Sequence, residues 1–389
     1  MRRLVAVGVA GCILAGCGGD AAVQDGGITL EVPIEDGESL QVDIPAENPE
    51  AVVVDIGVQE PSAPVAVGDR VVYVEGNSLL VSLEPRGRDV VTRDLPGDIV
   101  GVLGDAVVVT SGGSIHLLDG ATLETRLTLP TPEDATGLRA VAVDPAGRYI
   151  VAGYDNAYAA FSGTDGSMLF SGPMQPVRNA AVRGETAAMA VELDDGTTGA
   201  FTFDPATGTP TGDVVLGEAI AHELVDVVGT NQILVTEDGD SSEGGPGGSI
   251  YVVDTTTRSD VWRVDAGSFF DEPLVLDAVV AAPNQDDTIL RIDIATGESS
   301  AAPTRSRVAH APVLHDGRVV MVNEDAEVLV MDATTGELLA EPLVLPDVDQ
   351  IHGWALVGDV LYVTATERQI NVDDDPDRLF GVDLTILAP

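Results

Sequence analysis

Short runs of apolar and β-branched residues, broken every few positions by Gly, Asp or Pro, extend along the chain, and no long stretch carries the spacing of an amphipathic helix. The pattern predicts an all-β protein. One unit recurs: an apolar strand ending in Asp, a small turn containing Thr-Gly or a relative of it, then another strand. It is clearest in VLVMDATTGELLAEPL (328–343) and returns in ILRIDIATGES (289–299), FTFDPATGTP (201–210) and YVVDTTTRSDVWRV (251–264). Weaker copies are IHLLDGATLE (115–124), AAFSGTDGSMLF (159–170), LLVSLEPRGR (79–88) and LFGVDLTILAP (379–389). The anchor positions Glu84, Asp119, Ser162, Asp204, Asp254, Asp293, Asp332 and Asp383 are separated by 35, 43, 42, 50, 39, 39 and 51 residues. A period of about 40 residues is room for four short strands per unit. An Asp at a strand end can accept hydrogen bonds from backbone amides two residues on, and Gly supplies positive φ. Asp119, Asp204, Asp254, Asp293, Asp332 and Asp383 are therefore structural turn residues in this reading.

Four-stranded units repeated at this period predict a β-propeller of about eight blades, or seven if the copy at 64–95 is irregular. Closing the ring buries both faces of every blade and leaves few open edges. The last copy has a third strand but too little chain for a fourth, so an N-terminal strand is expected to complete it. The apolar run Ala51–Val58 is the best candidate. The strand, Asp, Ala-Thr-Thr-Gly-Glu, strand pattern resembles the repeat of pyrroloquinoline-quinone (PQQ) type β-propellers, most closely at 309–345, then at 270–304 and 249–266. Trp262 stands where that repeat often ends in tryptophan. Residues 137–172 lean toward the WD40 or lactonase style of blade. The resemblance covers roughly 64–389 and implies the fold; it does not choose among the functions that fold hosts.

The first residues read as an address. Arg2 and Arg3 precede a short apolar run, too short to span a bilayer, and Leu14-Ala15-Gly16-Cys17 resembles a bacterial lipobox. On this reading 1–16 are a signal peptide removed on export, Cys17 carries a lipid anchor, 17–27 form a flexible tether, 28–63 supply edge strands including the ring closure, and 64–389 are the propeller. The only cysteines are Cys12 and Cys17, so the exported chain is expected to have no disulfide and no free thiol. The protein is then anchored on the outer face of the cytoplasmic membrane, or in the periplasm where there are two membranes. The 64 Asp and Glu stand against 19 basic residues, all Arg, for a net charge of −45. That balance argues against phosphate-backbone recognition, so no nucleic-acid partner is expected. Such a surface resists self-association, and a monomer is expected.

Candidate chemistry is sparse. Strand parity puts the loops between second and third strands on the same face as the blade-to-blade connections, and in the second half of the chain these loops are acidic. Asp238 and Asp240 alternate in one, and Asp373, Asp375 and Asp377 in another, a spacing Ca²⁺ could use, though neither completes an EF-hand loop. His222, His310 and His352 fall near the starts of first strands, which line the central channel, and three such imidazoles could hold Zn²⁺. Arg139, Arg178 and Arg307 occupy similar positions and could meet an anion. PQQ itself is not expected, because the larger quinoproteins depend on several docking tryptophans and often a vicinal disulfide, while this chain has only Trp262 and Trp354. No nucleophile elbow, phosphate loop or His-Glu-x-x-His motif is present, so no catalytic residue is assigned. The chain is expected to be a non-catalytic binding or scaffold module for an unknown protein or small-molecule ligand. The alternatives are a metal-dependent propeller enzyme of the lactonase or sugar/alcohol dehydrogenase type, or an envelope assembly factor.

Overall fold

The computed structural model describes residues 2–3, 23–24, 27–33, 39–44, 53–57, 62–75, 78–84, 89–218, 222–237, 248–267, 273–276, 278–284, 287–308, 310–367 and 377–387. Among the described residues every regular element is a strand except one 3₁₀ turn at Leu384–Leu387. The strands form eight antiparallel four-stranded blades in a ring, an all-β propeller, as the repeat count predicts. Blade 2 shows the plan, with Asp98–Leu103, Ala106–Ser111, Ser114–Asp119 and Thr125–Thr128 paired in chain order. Blade 1 starts at Val65–Val67 and blade 7 ends at Leu343–Val344.

The eighth blade is built from both ends of the chain. Val348–Val357, Val360–Glu367 and Asp377–Asp383 are its first three strands, and Val53–Gly57 pairs antiparallel with the third, Leu379 opposite Val54 and Phe380 opposite Val53. The strand Ser39–Ile44 and then Gly27–Pro33 extend this sheet outward. A two-residue strand, Arg2–Arg3, lies along the outer strand of blade 1.

Second and third strands are covered on both faces by neighbouring blades, which is why they read as unbroken apolar runs. Val107, Val108 and Val109 are fully buried, as are Ile150, Val151 and Ala152, and Ile233, Leu234 and Val235. Where blades 3 and 4 meet, Tyr158, Phe170, Phe201 and Phe203 form a cluster beside the small Ala187, edge-on except for the stacked pair Phe201–Phe203, with ring centroids 5.2–5.5 Å apart.

The turn after each third strand carries the repeat chemistry. Asp119 Oδ1 accepts the amides of Ala121 and Thr122 at 2.9 and 2.8 Å. Asp254, Asp293 and Asp332 each accept the amides two and three residues on, Asp204 that of Ala206, and Asp383 that of Thr385. The fifth residue of the turn is left-handed and sits on the fourth strand of the preceding blade. Gly297, at φ 73°, lies so close to Trp262 that a Cβ there would be 2.6 Å from that side chain's own Cβ, and the Trp262 indole donates to the Ile294 carbonyl at 2.7 Å. Gly208 meets Phe170 in the same way at the seam of blades 3 and 4. Leu123 and Arg258 hold this conformation without glycine, at φ 55° and 58°. Blade 1 departs from the repeat: buried Arg70 replaces the Asp turn, donating to Ser82 Oγ and to the backbone carbonyls of Ser82 and Asp89.

These turns make stability depend on acid in a defined direction. The Arg126 guanidinium, with help from the turn amides, holds the Asp119 carboxyl down at about 2. A carboxylate with a depressed folded-state pKa contributes stability that is present above its ordinary value of 3.8 and lost as pH falls through 2. Asp119→Asn is therefore expected to melt below the wild type at pH 7, with the gap closing between pH 4 and pH 2. A gap that stays constant down to pH 2 would show that the ion pair contributes nothing.

Candidate functional site

On the face that carries the strand 2–3 loops and the blade-to-blade connections, an open groove of about 380 Å³ lies between blades 2 and 3. The loop Thr110–Gly113 forms one wall and the first strand of blade 3, from Leu138 to Val141, forms the other, with Asp98 at one end. Both first strands bulge here, at Val100 in blade 2 and at Arg139 in blade 3, where one residue is left out of the pairing. Bulges re-aim side chains at rims. Arg139 lines the groove, largely exposed, with its Nε 2.5 Å from Asp155 Oδ1. The first strand of blade 4 bulges at the matching residue, Arg178, which faces Glu192 at 3.7 Å. Arg307 lies 3.3 Å from Glu324. Each of the three arginines singled out in the sequence thus meets a carboxylate of its own blade.

The three histidines are held in separate contacts. His222 is half-buried, its Nδ1 3.0 Å from the Tyr251 hydroxyl and its Nε2 3.9 Å from Glu237. Burial lowers its pKa against the pull of the Glu237 carboxylate. Arg263 lies over the Tyr251 ring at 3.8 Å and, with Ser249, binds Glu237. Burial works against ionisation of Glu237, but Ser249 and Arg263 outweigh it and hold the carboxyl below its ordinary range. His310 packs edge-on against Trp354 and meets the Ile351 carbonyl at 3.2 Å, while His352 Nε2 is 2.7 Å from Thr366 Oγ1. Nothing in these contacts aims the three imidazoles at a common point.

Of the acidic loop residues, Asp238, Asp240, Asp373 and Asp375 lie outside the described residues, as do Cys17 and the lipobox; Asp377 is described only in its backbone, where it pairs with Thr366 and Gly57. Among the described residues, one group of three potential metal donors has its ligand atoms within 4.8 Å of one another: His315, Asp316 and Asp359. It lies on the other face, at the tight turns between first and second strands. The sequence carries it only as His-Asp-Gly at 315–317 and Gly-Asp at 358–359, and the ring sets the two side by side.

Residues 196–341 match the family model for the outer membrane protein assembly factor BamB, across blades 4 to 7, which include the three Asp-x-x-Thr-Gly turns at Asp204, Asp293 and Asp332. Over that stretch the chain is similar to the PQQ-like repeat family, and the fold is a β-propeller. The propeller is similar to the computationally designed Ika8 protein, at 16% identity and a TM-score of 0.59 over 84% of this chain and 98% of that one, a likeness of fold. BamB from Moraxella catarrhalis aligns at 15% identity and a TM-score of 0.47 over 78% of this chain and 93% of that one. No curated protein matches the propeller's sequence.

Proposed function

We propose that the protein is an exported, lipid-anchored binding module that receives a protein partner on its strand 2–3 face, in a role akin to envelope protein assembly. The groove between blades 2 and 3 carries this reading. It is open, mixed in polarity and walled by a loop and a bulged strand, and its one basic side chain, Arg139, stands on a surface dominated by carboxylates. Such a cleft recognises; its described walls hold no nucleophile paired with a base. Over Gly112 there is open space where a partner could approach. The match to the assembly-factor model across blades 4 to 7 favours a protein ligand over a small molecule, and the lipobox at Leu14–Cys17 favours the anchor.

The test is site-specific photo-crosslinking in intact cells from a benzophenone amino acid at Asp98, which is exposed at the end of the groove. The expected result is one discrete adduct, strongly reduced by Arg139→Glu. An adduct pattern identical to that from an exposed position on the opposite face, such as Glu124, would overturn the reading.

A further inference from the structure

We infer that His315, Asp316 and Asp359 form a site for a divalent transition-metal ion of the Zn²⁺ class, bridging blades 7 and 8 on the face opposite the groove. The inference is independent of the proposed function. His315 Nε2 lies 3.1 Å from Asp359 Oδ1 and 3.9 Å from Asp316 Oδ2, and all three ligand atoms fall within 4.8 Å of one another. Ligands at about 2.0–2.2 Å from Zn²⁺ in tetrahedral geometry stand roughly 3.4 Å apart, so the observed triangle brackets that spacing. Asp316 is 82% exposed and can close the remaining gap by a rotamer change without moving the backbone, whereas His315 is mostly buried and pre-positioned.

The positions follow from the fold. His315 pairs with Arg318 across the two-residue turn Asp316-Gly317, both residues of which have positive φ, and Val357 pairs with Val360 across Gly358-Asp359. Turns of successive blades then meet at the seam. Charge balance supplies a second observation. At the same turn of blade 2, Asp105 is neutralised by the Arg126 guanidinium, 2.5 Å away. At the seam of blades 7 and 8 the partner is an imidazole, and among the described residues no arginine lies within ion-pair distance of Asp316 or Asp359. Two carboxylates therefore converge on a neutral or singly charged ring, within a chain whose net charge of −45 concentrates divalent cations at its surface. One nitrogen and two oxygens, with water completing the shell, suit Zn²⁺ and its neighbours; Ca²⁺ and Mg²⁺ prefer all-oxygen shells.

The experiment is calorimetric titration of the metal-stripped, full-length protein with Zn²⁺ alone, repeated on His315→Gln and Asp359→Asn, with Asp69→Asn as a control at the corresponding turn of blade 1. The expected result is one Zn²⁺ per chain in the wild type and the control, weakened about tenfold or more in either seam variant. Zn²⁺ at a hundredfold excess over Kd should also raise the wild-type melting temperature by about 4 °C. Both seam substitutions are in or beside partly exposed turns, and their melting curves without metal report directly whether they fold. The same isotherm for all four proteins would mean diffuse binding by surface carboxylates and would overturn the site, as would no binding by the wild type.

Discussion

Deletion of residues 51–58 is expected to lower the melting temperature by about 8–10 degrees. Val53–Gly57 is the fourth strand of a blade whose other three strands come from the C-terminus, so its pairing with Asp377–Asp383 is the clasp between the two ends of the chain. Without it the third strand becomes an unprotected edge. Leu379 and Phe380, almost fully buried, are the residues paired with Val54 and Val53 and would lose that cover. Full exposure of these two large apolar side chains would cost about 1.5–3 kcal/mol each. The lost ladder bonds add about 1 kcal/mol apiece, giving a total of roughly 6–8 kcal/mol. A chain of this length unfolds with an entropy near 0.8 kcal/mol per degree, which converts the loss to about 8–10 degrees. Differential scanning calorimetry checks it. A shift of one or two degrees would mean the ring holds without its clasp.

Trp262→Ala is expected to lower the melting temperature by about 6 °C. Trp262 is the buried plug between blade 5 and the turn of blade 6: its ring rests on Gly297 and its N–H satisfies the Ile294 carbonyl. Truncation removes a large buried side chain, about 3–5 kcal/mol, and leaves that carbonyl without its donor. Trp262→Phe should recover more than half of the loss, because the ring returns without the hydrogen bond. A complementary substitution separates packing from strain: Gly297→Ala forces a Cβ into Trp262 at a left-handed φ, and should cost as much as losing the indole. If Trp262→Ala shifts the melt by only a degree, the seam is held elsewhere.

The repeat was legible because its parts are local. Asp293 and Asp332 bind amides only two and three residues away, so a fixed sequence spacing encodes the whole contact. The closing strand was legible for a different reason: the last copy ran out of chain, and an apolar run near the N-terminus had no other sheet to join. Blade 1 was harder to read, because Arg70 reaches Ser82 and Asp89 to replace the standard turn, a substitution with no motif. The groove had no signal beyond the regular spacing of Val100, Arg139 and Arg178, since a bulge is a matter of register. Equivalent positions in different blades were also weak guides to a shared site. His222, His310 and His352 occupy similar places in the repeat, yet each is engaged by its own neighbours, Tyr251, Trp354 and Thr366.

Sequence alone determined the all-β class, the period and the role of the turn aspartates, and narrowed the count to eight blades or seven, because each rests on hydrogen bonds and burial patterns that repeat within a few residues. Tertiary structure decided what stands beside what: Trp262 on Gly297, the groove at Arg139, and His315 against Asp359 across a seam of 44 residues. Those neighbours are set by how one blade rotates onto the next, and a rotation between units leaves no periodic trace in the chain.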